Sequence, residues 1–352
     1  MRLLVLAAVS VVVPCTVAAA QAPRPASSRG LEALSADVRR GLETITPSDV
    51  RKRIEIIADD SMGGRDTPSR GLEATARYIA SEFERFGLAP AGDRGSFVQR
   101  YPLPTGQPGQ TQSRVSAPNV VGVLEGSDPA LRNEYVVLSA HMDHVGYGRP
   151  VNGDSIYNGA DDDASGTAGV IELAEALSRP GARPKRSVIF LTVSGEEHGL
   201  WGSAYFSEHA PVPVSQIVAN LNIDMIGRNW KDTIVVIGKE HSDLGATLDR
   251  VNRAHPELGM RAIDDIWPDE NFYFRSDHYN FARKGVPVLF FFNGTHPDYH
   301  GPDDEPSRID AEKASRIVRL VYLITQDVGN AATKPQWNAE SYKKIVRPNG
   351  RD

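Results

Sequence analysis

The chain has 352 residues, 40% hydrophobic and 24% charged, with a formal net charge of −6. This is ordinary globular composition and excludes a low-complexity or intrinsically disordered chain. The acidic balance argues against a general nucleic-acid binder, and no stretch of the body is apolar for long enough to predict a membrane span.

Residues 1–20 read as a secretory signal. Arg2 gives a positive start, Leu3 to Val13 is apolar except for Ser10, and Ala18-Ala19-Ala20 offers a small-residue cleavage site before Gln21. The expected destination is the periplasm or the exterior. The single cysteine, Cys15, falls inside this segment, so no disulfide is expected in the mature chain. Residues 21–45 read as a linker or N-terminal extension.

Thr46-Pro47-Ser48-Asp49 predicts a helix start, with Thr46 as cap, Pro47 in the first turn and Asp49 on the positive helix end. Ser69 caps a second predicted helix whose face is lined by Leu72, Ala76, Ile79, Phe83 and Phe86 and which Gly87 ends. Residues 88–115 read as loop. Two strands follow, Asn119 to Leu124 and Glu134 to Ser139. The pattern then alternates: helix 164–178, strand Ser187 to Val193, a short helix 200–208, strand Ile217 to Ile223, strand Thr233 to Ile237, helix 242–254 and strand Val286 to Phe292. Asp310 caps a last long helix, and residues 331–352 read as a polar, peripheral tail.

Strands alternating with helices predict an α/β three-layer sandwich, a mostly parallel central sheet with helices on both faces, forming one domain over 46–330. In such sheets ligands bind beyond the carboxyl ends of the strands. That is where the chemically suggestive residues fall. His141-Met142-Asp143-His144 follows one strand, Glu196-Glu197 the next, Asp224 ends another, and His300 follows the last. The run Asp161-Asp162-Asp163 opens the helix between them. A lone acidic triplet reads as a solvated turn, but histidines and carboxylates recurring at strand ends read as a metal-ligand constellation.

Five motifs in this order resemble the M28 family of di-zinc metallopeptidases, the bacterial leucyl aminopeptidase type, over roughly residues 50–330. They are His141-x-Asp143, Gly159-Ala-Asp161-Asp-Asp-Ala-Ser-Gly166, Gly195-Glu196-Glu197, Asn222-Ile-Asp224-Met-Ile-Gly227 and Tyr299-His300-x-Pro-Asp-Asp304. The resemblance implies a zinc-peptidase (phosphorylase/hydrolase-like) fold and two Zn2+ per chain. His141 and Asp224 would hold one zinc and Glu197 and His300 the other, with Asp161 bridging and a cis peptide at Asp161–Asp162. Glu196 would be the general base, Asp143 would orient His141, and Tyr273 would donate to the developing oxyanion. His144, His198, His278 and His296 receive no role and read as structural histidines.

The function implied is an exopeptidase acting on peptide N-termini, with loops 147–158 and 262–276 around the entrance. A carboxypeptidase or dipeptidase is kept open by Arg275, while the acidic run Asp264, Asp265, Asp269 and Glu270 leans toward amine recognition. A glutaminyl cyclase would use one zinc, and a non-catalytic binding ectodomain would have lost ligands; the full set disfavours both. Peptides are the expected partners. Preferred side chain and oligomeric state are not legible.

Overall fold

The computed structural model describes residues 34–104 and 115–346; the signal-like segment, Cys15 and most of the 21–45 stretch lie outside them. Helix α1 (Ala36–Thr44) starts where Ser35 accepts a hydrogen bond from the Val38 amide. It lies inside the predicted linker, yet Leu42 is buried and packs in the main core. The domain therefore begins before residue 46. Helices α2 (Pro47–Ile57) and α3 (Arg70–Arg85) start at the caps the sequence predicts, Thr46 accepting from Asp49 N and Ser69 from Leu72 N.

The 88–115 stretch is not all loop. It holds β1 (Ala89–Pro90) and β2 (Val98–Pro102), which pair antiparallel with β3 (Ser116–Leu124). Next come β4 (Tyr135–His141) and a hairpin of β5 (Gly146–Val151) and β6 (Asp154–Tyr157), in place of the expected 147–158 loop. Then follow α4 (Gly166–Ser178), β7 (Ser187–Val193), α5 (Trp201–Glu208), β8 (Ile217–Asp224), β9 (Thr233–Ile237), α6 (Leu244–Ala254), β10 (Arg261–Ile263), α7 (His278–Ala282), β11 (Val288–Phe292), α8 (Ala311–Asn330) and α9 (Ala339–Ile345). Up to residue 346 the tail is not peripheral: Trp337 Nε1 donates to Gly285 O at 2.9 Å, and Ile345 is buried.

The sheet runs β1-β3-β7-β4-β8-β11-β9-β10, with β2 also on β3. Its centre, β7-β4-β8-β11, is parallel. Its flanks are antiparallel, β3 to β7 and β9 to β11. The reason is connection length. A parallel crossover needs a dozen or more residues, and only residues 225–232 join β8 to β9, so the chain turns back. Alternate residues of each strand feed opposite faces. Val136, Leu138 and Ala140 pack in the larger core with α1–α4, α6 and α8, whereas Val137, Ile189, Leu191 and Val193 pack in the smaller core with α5 and α7.

Between α2, α3 and α4, the buried Arg53 guanidinium bonds Glu82 and Glu172 and reaches Glu175 at 2.7 Å. Glu172 is itself buried. Removing one partner of such a pair strands the other charge in low dielectric. Arg53→Ala should therefore destabilise the protein by about 3–5 kcal/mol, read as a drop in the urea midpoint. A midpoint unchanged from the parent would show that the network contributes nothing net.

Candidate metal centre

Register along the parallel strands places His141 beside Val193 and Asp224 beside Phe292. The last residues of β4, β7, β8 and β11 thus share one edge. β7 is followed by a turn at Gly195 (φ 71°), which brings Glu196 and Glu197 back over that edge. The loop after β11 delivers His296, Tyr299 and His300.

Two donor groups meet there: His141, Asp162 and Asp224, and His144, Asp162, Glu197 and His300, with donor atoms of each group within 4.8 Å of one another. Asp162 belongs to both. Its Oδ1 lies 3.1 Å from His141 Nε2, and its Oδ2 lies 3.1 Å from His300 Nε2. His141 Nε2 is 3.6 Å from Asp224 Oδ1, and His300 Nε2 is 3.0 Å from Glu197 Oε2. Donors on a tetrahedral zinc, with bonds of about 2.0–2.1 Å, stand roughly 3.3 Å apart, so these spacings fit a cation at each position. Orphaned atoms agree: both ring nitrogens of His144, His300 Nε2 and Glu197 Oε1 are buried without a hydrogen bond. Leaving such groups unpaired costs about 1–3 kcal/mol each.

The central acid of the run is the shared donor, and this corrects the expectation for Asp161. Asp161 Oδ1 accepts from Gly227 N at 2.5 Å, and its Oδ2 faces His296 Nε2 at 3.4 Å, away from both groups. Asp163 is also an anchor. Its Oδ1 accepts from Gly166 N (2.8 Å) at the start of α4 and from Met225 N (3.2 Å), and its Oδ2 from His141 N (3.1 Å). Two flanking acids fasten the turn to backbone amides, and the middle one is left free to reach outward. The cis peptide lies at Asp162–Asp163, one position after the one expected. From the far side, the Asp304 carboxylate accepts from Asp161 N at 3.0 Å and Asp162 N at 3.1 Å, while its carbonyl accepts from Ala160 N. Gly159 has a left-handed φ of 55°, and a Cβ there would meet Asp162 O at 2.1 Å.

Asp143 does a different job from the one expected. Its Oδ1 is 3.7 Å from His141 Nδ1, too far for a hydrogen bond, and the Asp143 carbonyl at 3.2 Å takes that place. The Asp143 carboxylate instead accepts from Gly195 N at 2.7 Å and Thr67 Oγ1 at 3.0 Å, holding the turn that presents Glu196. Tyr273 is not at the site. Its ring packs against His241, His278 and Tyr279 in the smaller core, and its hydroxyl is buried without a partner. Phe272 and Tyr299 line the site cavity instead. Of the four histidines without an assigned role, His144 joins a donor group. His198 pairs with Asp66, His278 stacks on Phe290, and His296 faces Asp161.

The charges are arranged to keep Asp162 ionised. Burial opposes its charge, but His144, His141 and His300 outweigh burial and hold its pKa well below the ordinary range. Burial, helped by Asp277, Asp224 and Glu197 against His141, holds Glu196 well above it. Burial pushes His300 down, yet Asp162 and Glu197 prevail and raise it to about 10. Arg65, fully buried, donates to the carbonyls of Met142, Ile57, Asn158 and Gly159. Burial lowers it to about 10, against the pull of Asp143, Asp162, Asp304 and Asp163.

A cavity of about 50 Å³ opens on this edge; His141, Asp162, Glu196 and Asp224 form its polar side, and Phe272, Phe290 and Phe292 much of its apolar side. Arg275 lies at its rim over the Phe272 ring. Within the acidic run 264–270, Asp264 pairs with Lys239, Asp265 accepts from Trp267 N, and Glu270 meets Arg275 at the cavity rim.

A family model described as Peptidase family M28 matches residues 119–325. A probable zinc metalloprotease of Pyricularia oryzae is 32% identical over 377 residues, covering 90% of this chain and 72% of that protein. Another, from Pyrenophora tritici-repentis, is 30% identical over 64% of this chain and 51% of its own length; the chain spans about half the length of the first curated relatives it matches. Among solved structures, the aminopeptidase from Aneurinibacillus sp. strain AM-1 has a TM-score of 0.64 at 14% identity, covering 84% of this chain and 97% of that one.

Asp161 and Asp162 can be told apart by metal content. Asp162→Asn should lose bound divalent metal from both positions, because one carboxylate serves both. Asp161→Asn keeps an acceptor for Gly227 N and should hold the parent's metal content by elemental analysis. The reverse pattern would return the bridging role to Asp161.

Proposed function

Since the chain belongs to peptidase family M28, we propose that it is a zinc peptidase that removes single residues from the N-termini of peptides and holds two zinc ions. One observation carries this reading: Asp162 presents one oxygen to each of two donor groups at a small cavity that Glu196 also lines. His141 and Asp224 complete one group, Glu197 and His300 the other. Zinc held by these donors supplies Lewis acidity, polarising a peptide carbonyl and making water a stronger nucleophile near neutral pH.

The chain's own residues supply the rest. Glu196 takes a proton from the attacking water and passes it to the departing amine nitrogen, a task suited to a buried carboxyl whose proton affinity burial raises. Tyr299 takes the role expected of Tyr273. Burial and the carboxylates of Asp162, Glu197, Asp224 and Glu196 raise its hydroxyl, so it stays protonated and can donate to the carbonyl oxygen as charge develops. Glu196, the cavity carboxylate that holds no metal, can accept a hydrogen bond from the α-amine of a peptide, and Phe272, Phe290 and Phe292 favour an apolar first side chain. The cavity is too small to take a length of chain. The structural neighbours that carry the name aminopeptidase support the same reading. Arg275 at the rim favours a second one, a carboxypeptidase that reads a free carboxylate.

Glu196→Gln should keep both zinc ions and the fold while kcat falls by roughly 10²–10⁴-fold. Tyr299→Phe should lower kcat by about 10²-fold or more, and Tyr273→Phe should leave it near the parent value. Steady-state kinetics beside zinc analysis decides this, and a fully active Glu196→Gln would remove the general base from the scheme.

Blocking groups separate the two exopeptidase readings. N-acetylation of a short apolar peptide should abolish cleavage, and C-terminal amidation should leave it largely intact. The opposite result would favour the carboxypeptidase, and cleavage of doubly blocked peptides would defeat both.

A further inference from the structure

The two donor groups are unequal, and the difference is His144. Its side chain is completely buried, and neither ring nitrogen makes a hydrogen bond. A buried structural histidine ordinarily finds a partner. Here Nδ1 instead stands 2.9 Å from Glu197 Oε1 and 3.6 Å from Asp162 Oδ2. The ring meets His300 edge to face at 5.4 Å between centroids.

Its position is built rather than incidental. The His144 amide donates to Arg65 O, and the Arg65 guanidinium in turn holds Met142 O just before it and Asn158 O on the loop beside it. Gly159 lies so close that a Cβ there would stand 2.4 Å from His144 Cγ. A second observation concerns the cavity. His141, Asp162 and Asp224 line it together with Glu196; His144, Glu197 and His300 do not. The cavity therefore touches the four-donor group only through the shared Asp162, and His300 is the one donor of that group with a substantially exposed side chain.

We propose that His144 is a fourth protein ligand of the metal position formed by Asp162, Glu197 and His300. The proposal rests on the two-zinc reading above and divides the labour within it. Four protein donors close one position in the manner of a structural zinc site, whereas three leave the other with room for water and substrate. The closed position fills first and holds its metal more tightly. The open position faces the cavity and exchanges more readily.

The test uses the full-length chain, stripped of metal and refilled with zinc in steps against a chromogenic chelator. The parent should show one tight and one weaker step. With one equivalent bound, X-ray absorption should count two imidazoles on the zinc, from His144 and His300. His144→Ala should weaken the first step by more than the roughly 10–100-fold that loss of an orienting outer group costs, and its first-bound zinc should show one imidazole. His144→Gln can still hydrogen-bond to Glu197 but is a poor ligand, so it should behave like His144→Ala. Restoration of the first step by His144→Gln, or a single imidazole on the parent's first zinc, would reduce His144 to an orienting group and overturn the proposal. A parent chain that binds no zinc would instead overturn the peptidase reading itself. The parent's imidazole count needs no variant, so a His144→Ala chain that failed to fold would leave the proposal decidable.

Discussion

Crowded negative charge is the constraint that the rest of the molecule accommodates. Asp143, Asp161, Asp162, Asp163, Asp224 and Asp304 are all buried around one sheet edge, with Glu196 and Glu197 beside them. Two like charges 4 Å apart repel by about 4 kcal/mol at an effective dielectric near 20. A whole domain is stable by only about 5–15 kcal/mol. A few such repulsions would cancel the fold, so each acid must be given a partner. Asp143, Asp161, Asp163 and Asp304 are assigned to backbone amides. Arg65 and Lys313 are buried cations nearby, each with its pKa lowered by burial and supported by these acids. Asp162 and Glu197 are matched by histidines, and Asp224 by His141 and the Ser276 hydroxyl. Those are the groups whose geometry fits divalent cations, so the same charge that threatens the fold creates the affinity for metal.

The parallel centre of the sheet makes such crowding reachable. Because β7, β4, β8 and β11 run the same way, residues far apart in the chain arrive at one edge with no long side chain needed. The amino end of α4 adds its unpaired amides, and Asp163 accepts one of them. The antiparallel flanks contribute packing and no donors. The site is therefore a property of the middle of the sheet, and the outer strands and α9 close its cores.

Much of this was legible in the sequence, for reasons that can be stated. The caps Thr46, Ser69 and Asp310 were readable because a side-chain oxygen at a helix start has one local job. The buried strands were readable from unbroken apolar runs. His141, Glu197, Asp224 and His300 were readable because strand ends converge. The shared carboxylate was not, since three identical side chains in a row carry no mark of direction. Only the backbone path reveals that Asp161 turns toward Gly227 while Asp162 turns outward. Tyr273 misled for a similar reason: Phe272 and Tyr273 are neighbours, and a short 3-10 turn decides which faces the cavity. His144 escaped because a lone histidine after a strand looks like any core histidine. The short strands of 89–102 and the helix of the tail were hidden by their Gly- and Pro-rich surroundings, where tertiary pairing overrides local preference.

The Asp304 clasp has a consequence for how the chain comes into being. It reaches the Asp162 amide across 142 residues of sequence. At about 5–20 residues per second, roughly 7–30 s of synthesis separate the two. For most of that interval the acid run and both glutamates already exist, while His300 and the carboxylate that secures their turn do not. The emerging chain thus lacks both a donor and its fastening until residues 300–304 are made. Order of translation alone keeps an unfinished molecule from assembling the full donor set.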